Sequence, residues 1–192
     1  MEKNDKLYQL TPLTDKDHFF NKSVDQCTAG WQRKWLENFG GYADKYKGAF
    51  DRLADVVCDN TCNKDQLTYP IMFLARHILE LRLKELNYLC IQLKFLEDTK
   101  PTHSLLILWK SFDAVYPGEK NEHYFKVGEL ITELHNVDSK SDTFRYPIHK
   151  DGTPTATSEF VDIENFIDVF SKLDVFLEGV EMELHQLIDD MS

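Results

Sequence analysis

Between Tyr69 and Leu96 the chain reads YPIMFLARHILELRLKELNYLCIQLKFL, a helical pattern with charges where a core helix carries none. At roughly 100° per residue, Ile71, Met72, Leu74, Ala75, Ile78, Leu79, Leu81, Leu83, Leu86 and Leu89 cover more than half the circumference. Arg76, His77, Glu80, Lys84 and Asn87 gather into a polar stripe opposite, interrupted by Phe73, while Arg82 and Glu85 fall inside the apolar arc. So much apolar surface predicts a helix central to its domain. Its entry is expected at Pro70, because proline is tolerated in a first turn and not deeper. An unpaired buried charge is costly, so the stripe must meet partners, water or a substrate. Two readings follow: an internal Arg76–Glu80–Lys84 network at i,i+4 spacing, or a functional cleft.

The flanking segments repeat the helical period. Trp31, Trp35 and Phe39 recur four apart before Gly40-Gly41, which reads as a helix stop. Tyr46, Phe50, Leu53 and Val57 mark a second helix ending near Asp59-Asn60. After the central helix, Thr102 is a candidate cap for LLILWKSF, a short, mostly buried helix carrying Trp109 and broken at Pro117-Gly118. Phe125, Leu130, Ile131 and Leu134 mark another, followed by an irregular stretch from Asp138 to Ser158. The cleanest pattern comes last: Phe166, Phe170, Leu173, Leu177, Val180, Leu184 and Leu187 alternate spacings of four and three. Such a seam packs inside an antiparallel bundle or forms a subunit interface. With no strand ladder and no internal repeat, the expected fold is all-α, an antiparallel helical bundle with an irregular loop between the last two helices. Residues 1–20, polar and without period, read as an arm on a single domain spanning 21–192.

At 192 residues with 42% apolar and 29% charged content, the chain suits a soluble globular protein with a real core. No apolar run is long enough for a bilayer, and the first twenty residues have no signal-type apolar core, so a cytoplasmic protein is expected. Cys27, Cys58, Cys62 and Cys90 form no CxxC pair, which fits reduced thiols. Cys58 and Cys62 lack a second ligand pair for zinc, and the seven histidines show no metal-ligand spacing. No metal and no cofactor are therefore expected. The net charge of −11 is uneven: residues 155–192 hold ten acids and one lysine, which alone gives −9. That argues against broad coating of nucleic acid but leaves local contact open.

No phosphate loop, dinucleotide fingerprint, HExxH or GxSxG occurs. Attention passes to Ser141–Gly152, since a long loop between bundle helices is more often functional than not. Arg145, a planar donor fork suited to phosphate or carboxylate, lies between Phe144 and Tyr146. His149 follows, a natural acid–base group near neutral pH. The structural alternative is that Phe144, Tyr146 and Pro147 pin the loop and Arg145 pairs with Glu80.

The run PIMFLARHILELRLKEL, then THSLLILW, then SDTFRYP with HKDG soon after, resembles a bacterial group placed with the HEPN superfamily, over roughly Pro70 to Leu187. The resemblance implies a helical bundle, often dimeric. Many such proteins are metal-independent ribonucleases of toxin–antitoxin, abortive-infection and phage-defence systems, and others are inactive scaffolds. Active members carry an Arg and a His separated by four to six residues. Here the match is RYPIH, Arg145 to His149, with three between, and Pro147 prevents a regular helix through it. If active, Arg145 would meet phosphate, and the histidine would be His149, His77 or His103, with Glu80 orienting it or clamping Arg145. The partners implied are RNA, or a protein (an antitoxin or defence component) held through the acidic C-terminal helix, with a homodimer as the assembly.

Overall fold

A computed structural model describes residues 38–59, 64–99, 101–149, 151–155 and 160–191. The proposed arm, Trp31, Trp35, Cys27 and Cys62 lie outside the described residues. Among those described are five α-helices: α1 (Phe39–Asp59), α2 (Lys64–Gln92), α3 (Leu105–Asp113), α4 (Glu122–Val137) and α5 (Ile163–Asp190). The only pairing of extended backbone among them is an isolated bridge between Ile148 and Pro154. The all-α expectation holds. No helix among the described residues is long and apolar enough to cross a membrane.

Helix α2 is the central element, packed by α1, α3 and α5. From Ile71 to Cys90 only Tyr88 is exposed, and the buried set includes Arg76, Glu80, Arg82, Glu85 and Asn87. It begins six residues before the expected entry. Pro70 sits inside the helix, where its missing N–H leaves the Gln66 carbonyl without an intrahelical donor. Both residues are exposed, so water can take that bond.

Gly40-Gly41 does not stop a helix; the pair forms the first turn of α1, where Gly41 N–H donates to Asn38 Oδ1 at 2.9 Å. Ser104 rather than Thr102 caps α3: its hydroxyl accepts from Ile107 N–H, while Thr102 Oγ1 accepts from Ser104 N–H. On α4, Tyr124, Val127, Ile131 and Leu134 face inward, and Phe125, one step around the helix, is exposed.

The heptad seam of α5 packs inside the bundle, with Phe170, Leu173, Leu177, Val180 and Leu184 buried and Phe166 and Leu187 half-buried at its ends. The order of contacts fixes direction. Lys64 meets Glu164, Arg82 meets Asp174 and Glu178, so α2 and α5 run parallel. Gly40 meets Glu85 and Tyr46 meets His77, so α1 runs against α2. The expectation of a purely antiparallel bundle therefore fails for α2 and α5.

Ile78, Leu81, Leu86, Trp109, Phe170, Leu173 and Leu177 share one core. Truncating Leu81 or Leu173 to alanine is expected to cost on the order of 2–5 kcal/mol in urea unfolding. A loss below about 1 kcal/mol at both positions would mean this core is not packed as described.

Candidate functional site

The polar stripe of α2 is closed into a network of specific bonds. Arg76 NH1 donates to Glu80 Oε2 at 3.1 Å, NH2 to the His103 carbonyl at 2.5 Å, and Nε to the Asp138 carbonyl at 3.4 Å. One buried guanidinium thus ties α2 to the start of α3 and the end of α4. Glu80 Oε1 receives Lys84 Nζ at 2.7 Å and His103 Nδ1 at 2.8 Å. The Arg76–Glu80–Lys84 network expected from i,i+4 spacing is present.

His103 is the unusual member. Its side chain is 76% exposed although Nδ1 is held on a nearly buried carboxylate. Burial pushes Glu80 toward protonation, but hydrogen bonds from Lys84 and His103 and the charges of Lys84 and Arg76 outweigh it and hold the carboxyl below its ordinary range. An ionised Glu80 can only accept, so Nδ1–H donates to it and Nε2 is the ring nitrogen left open for another partner. Among the described residues Nε2 has no partner. A histidine oriented by a carboxylate with its second nitrogen free is an arrangement suited to proton transfer.

The Asp138–Thr155 loop is built on Asp138, buried at the end of α4. Its Oδ1 accepts from Asp142 N–H at 2.8 Å and Thr143 N–H at 3.0 Å. Phe144 then enters the core. Gly152, at φ +84°, allows the turn that lets His149 N–H reach the Thr153 carbonyl at 2.8 Å.

Of the three expected anchors only Phe144 is one. Tyr146 is 54% exposed and Pro147 is exposed as well. The expected Arg145–Glu80 clamp is absent, since Arg76, Lys84 and His103 fill the carboxylate. Arg145 is exposed, donates to the Ser141 carbonyl of its own loop, and lies 5.4 Å over the Tyr146 ring. Its charge still reaches the network, lowering the pKa of Arg76 and of His77 as minor contributions beside burial.

The remaining histidines differ in availability. His149 is half-buried with Nδ1 3.3 Å from Asp142 Oδ2. His77 is fixed between Tyr46, edge-on at 4.6 Å, and Phe73, and serves packing. The structure thus brings Glu80 and His103 into contact, leaves Arg145 within electrostatic range of Arg76 and His77, and packs His77 between aromatic rings.

The sequence reading missed Asp138, Asp142 and His135. His135 Nδ1 and Asp142 Oδ1 are buried without a partner among the described residues, which leaves bonding capacity beside the site. An Asp followed four residues later by a second Asp, just past a helix end, was the available signal for the loop's turn.

Burial lowers the pKa of His77, and likewise of His135, below the ordinary value of 6.5. As pH falls through that value the unfolded chain binds protons before the folded one does. The stabilisation is therefore complete above about pH 6.5 and is lost below it. The urea midpoint is expected to be lower at about pH 5.5 than at about pH 7.5, with a shallower slope in His77→Phe. Equal midpoints in the wild type would contradict this.

Comparison with protein-family models, with curated proteins and with solved structures finds no match to this chain.

Proposed function

We propose that this protein is a HEPN-like, metal-independent ribonuclease of a bacterial toxin–antitoxin or phage-defence system, with its chemistry at Glu80, His103 and Arg145. The observation that carries the reading is His103, exposed yet oriented by the ionised Glu80. His103 Nε2 takes the proton of an RNA 2′-hydroxyl, and the 2′ oxygen attacks the adjacent phosphorus. The P–O5′ bond breaks and the leaving oxygen takes a proton from water, giving a 2′,3′-cyclic phosphate and a 5′-hydroxyl. Arg145, exposed on its loop, offsets the charge that develops on the phosphoryl oxygens. Arg76 and Lys84 position Glu80 and add positive charge to this flank of an otherwise acidic protein.

A second reading, a silent bundle that binds a protein partner, draws on the outer face of α5. There Val175 and Met182, 66% and 72% exposed and one heptad apart, stand among acids. Expression of the wild type beside Arg145→Ala and His103→Ala separates the two. Growth arrest with fragmented RNA is expected only for the wild type. Arrest persisting in both variants, or absent in all three, would favour the partner-binding reading.

A further inference from the structure

A second cluster of ionisable groups lies where α1, α2 and α5 meet. Arg82, 2% exposed, donates to Asp174 at 3.0 Å, to Glu181 Oε2 at 3.3 Å and to Glu178, and forms an ion pair with Asp44 at 2.9 Å. Glu85, beside Glu181, adds a fifth carboxylate to the cluster.

The surplus is concentrated at one place. Glu85 is 1% exposed, and its one hydrogen bond among the described residues comes from Gly40 N–H, at 3.1 Å to Oε2. Among those residues it meets no cation within 4.0 Å. Glu181 gives Oε2 to Arg82 and leaves Oε1 facing His185 Nε2 at 4.0 Å, one helical turn along α5. One donor atom from each of Glu85, Glu181 and His185 lies within 4.8 Å of the other two.

We propose that Glu85, Glu181 and His185 form a binding site for a divalent transition-metal cation at the α2–α5 seam. A buried carboxylate with no cation within 4.0 Å among the described residues, set beside a second carboxylate and an imidazole, suits a bound cation. Two carboxylates and an imidazole form a donor set suited to zinc and its neighbours, whereas calcium and magnesium favour oxygen alone. Three protein donors leave a fourth position for water. Gly40 makes the room. A Cβ there would stand 2.5 Å from Glu181 Oε1 and 3.4 Å from Glu85 Cγ, so any larger residue displaces the carboxylate.

The site is independent of the ribonuclease reading. Isothermal titration of the full chain with Zn2+ alone tests it. One-to-one binding is expected in the wild type, weakened at least about tenfold in His185→Ala, whose half-exposed side chain can be removed without unfolding the bundle. Gly40→Ala, which keeps every donor and shifts one, is expected to weaken binding as well, and His123→Ala on exposed α4 surface is not. Should Gly40→Ala fail to fold, His185→Ala decides alone. Binding that is absent in the wild type, or equally tight in His185→Ala, overturns the proposal.

Discussion

Replacing Arg82 by alanine is expected to destabilise the bundle by roughly 3–5 kcal/mol, the range for breaking a buried ion pair from one side. Arg82 and Asp174 are each 2% exposed, and the guanidinium also holds Glu178, Glu181 and Asp44. Burial works against its charge, yet the hydrogen bond and charge of Asp174 outweigh it and raise its pKa further. Removing it leaves Asp174 buried without a cation and the acids of α5 facing Glu85. Much of the loss is therefore the desolvation cost of what remains. The double change Arg82→Leu with Asp174→Leu should recover part of it, because neither charge then stays buried alone. Urea unfolding of the three chains measures this. An Arg82→Ala loss under about 1 kcal/mol would mean the pair is solvated rather than buried.

At the proposed catalytic centre, His103→Ala is expected to lower the rate of RNA cleavage by about 10²–10⁴-fold, the contribution of a positioned acid–base group. Arg145→Ala should cost about 10²–10³-fold, as for loss of a donor that meets developing charge. Glu80→Gln is the informative intermediate. Glutamine can still accept from the ring but brings no charge to offset the imidazolium formed during the reaction, so its rate should fall between those of the wild type and His103→Ala. His149→Ala, whose imidazole is turned onto Asp142, should change the rate far less than His103→Ala. If instead the His149 variant is dead and the His103 variant active, the assignment moves to the Arg145–His149 loop.

What the sequence disclosed and what it withheld follow from range. The central helix, its i,i+4 network and the α5 seam were legible because periodicity and neighbouring spacing are local properties. Pro70 misled because an exposed proline can sit past the first turn when its orphaned carbonyl faces water. Gly40-Gly41 misled because these glycines answer a tertiary demand, the close approach of Glu85 and Glu181, that no local pattern records. Arg82 and Glu85 were noted as charges inside the apolar arc, but their partners on α5 lie about a hundred residues away. The Arg145–Glu80 pairing failed for the same reason. Arg76, on the same helix as Glu80, had already taken the place. His103 was one of three histidines left open, and only the return of α3 against α2 singles it out.

The central claim, a metal-independent site at His103, Glu80 and Arg145, is tested most directly by incubating the purified chain with single-stranded RNA in excess chelator and mapping the ends produced. Fragments carrying 2′,3′-cyclic phosphate and 5′-hydroxyl ends are expected, undiminished by the chelator and lost in His103→Ala. No cleavage, 5′-phosphate ends, or cleavage that needs added metal would contradict it.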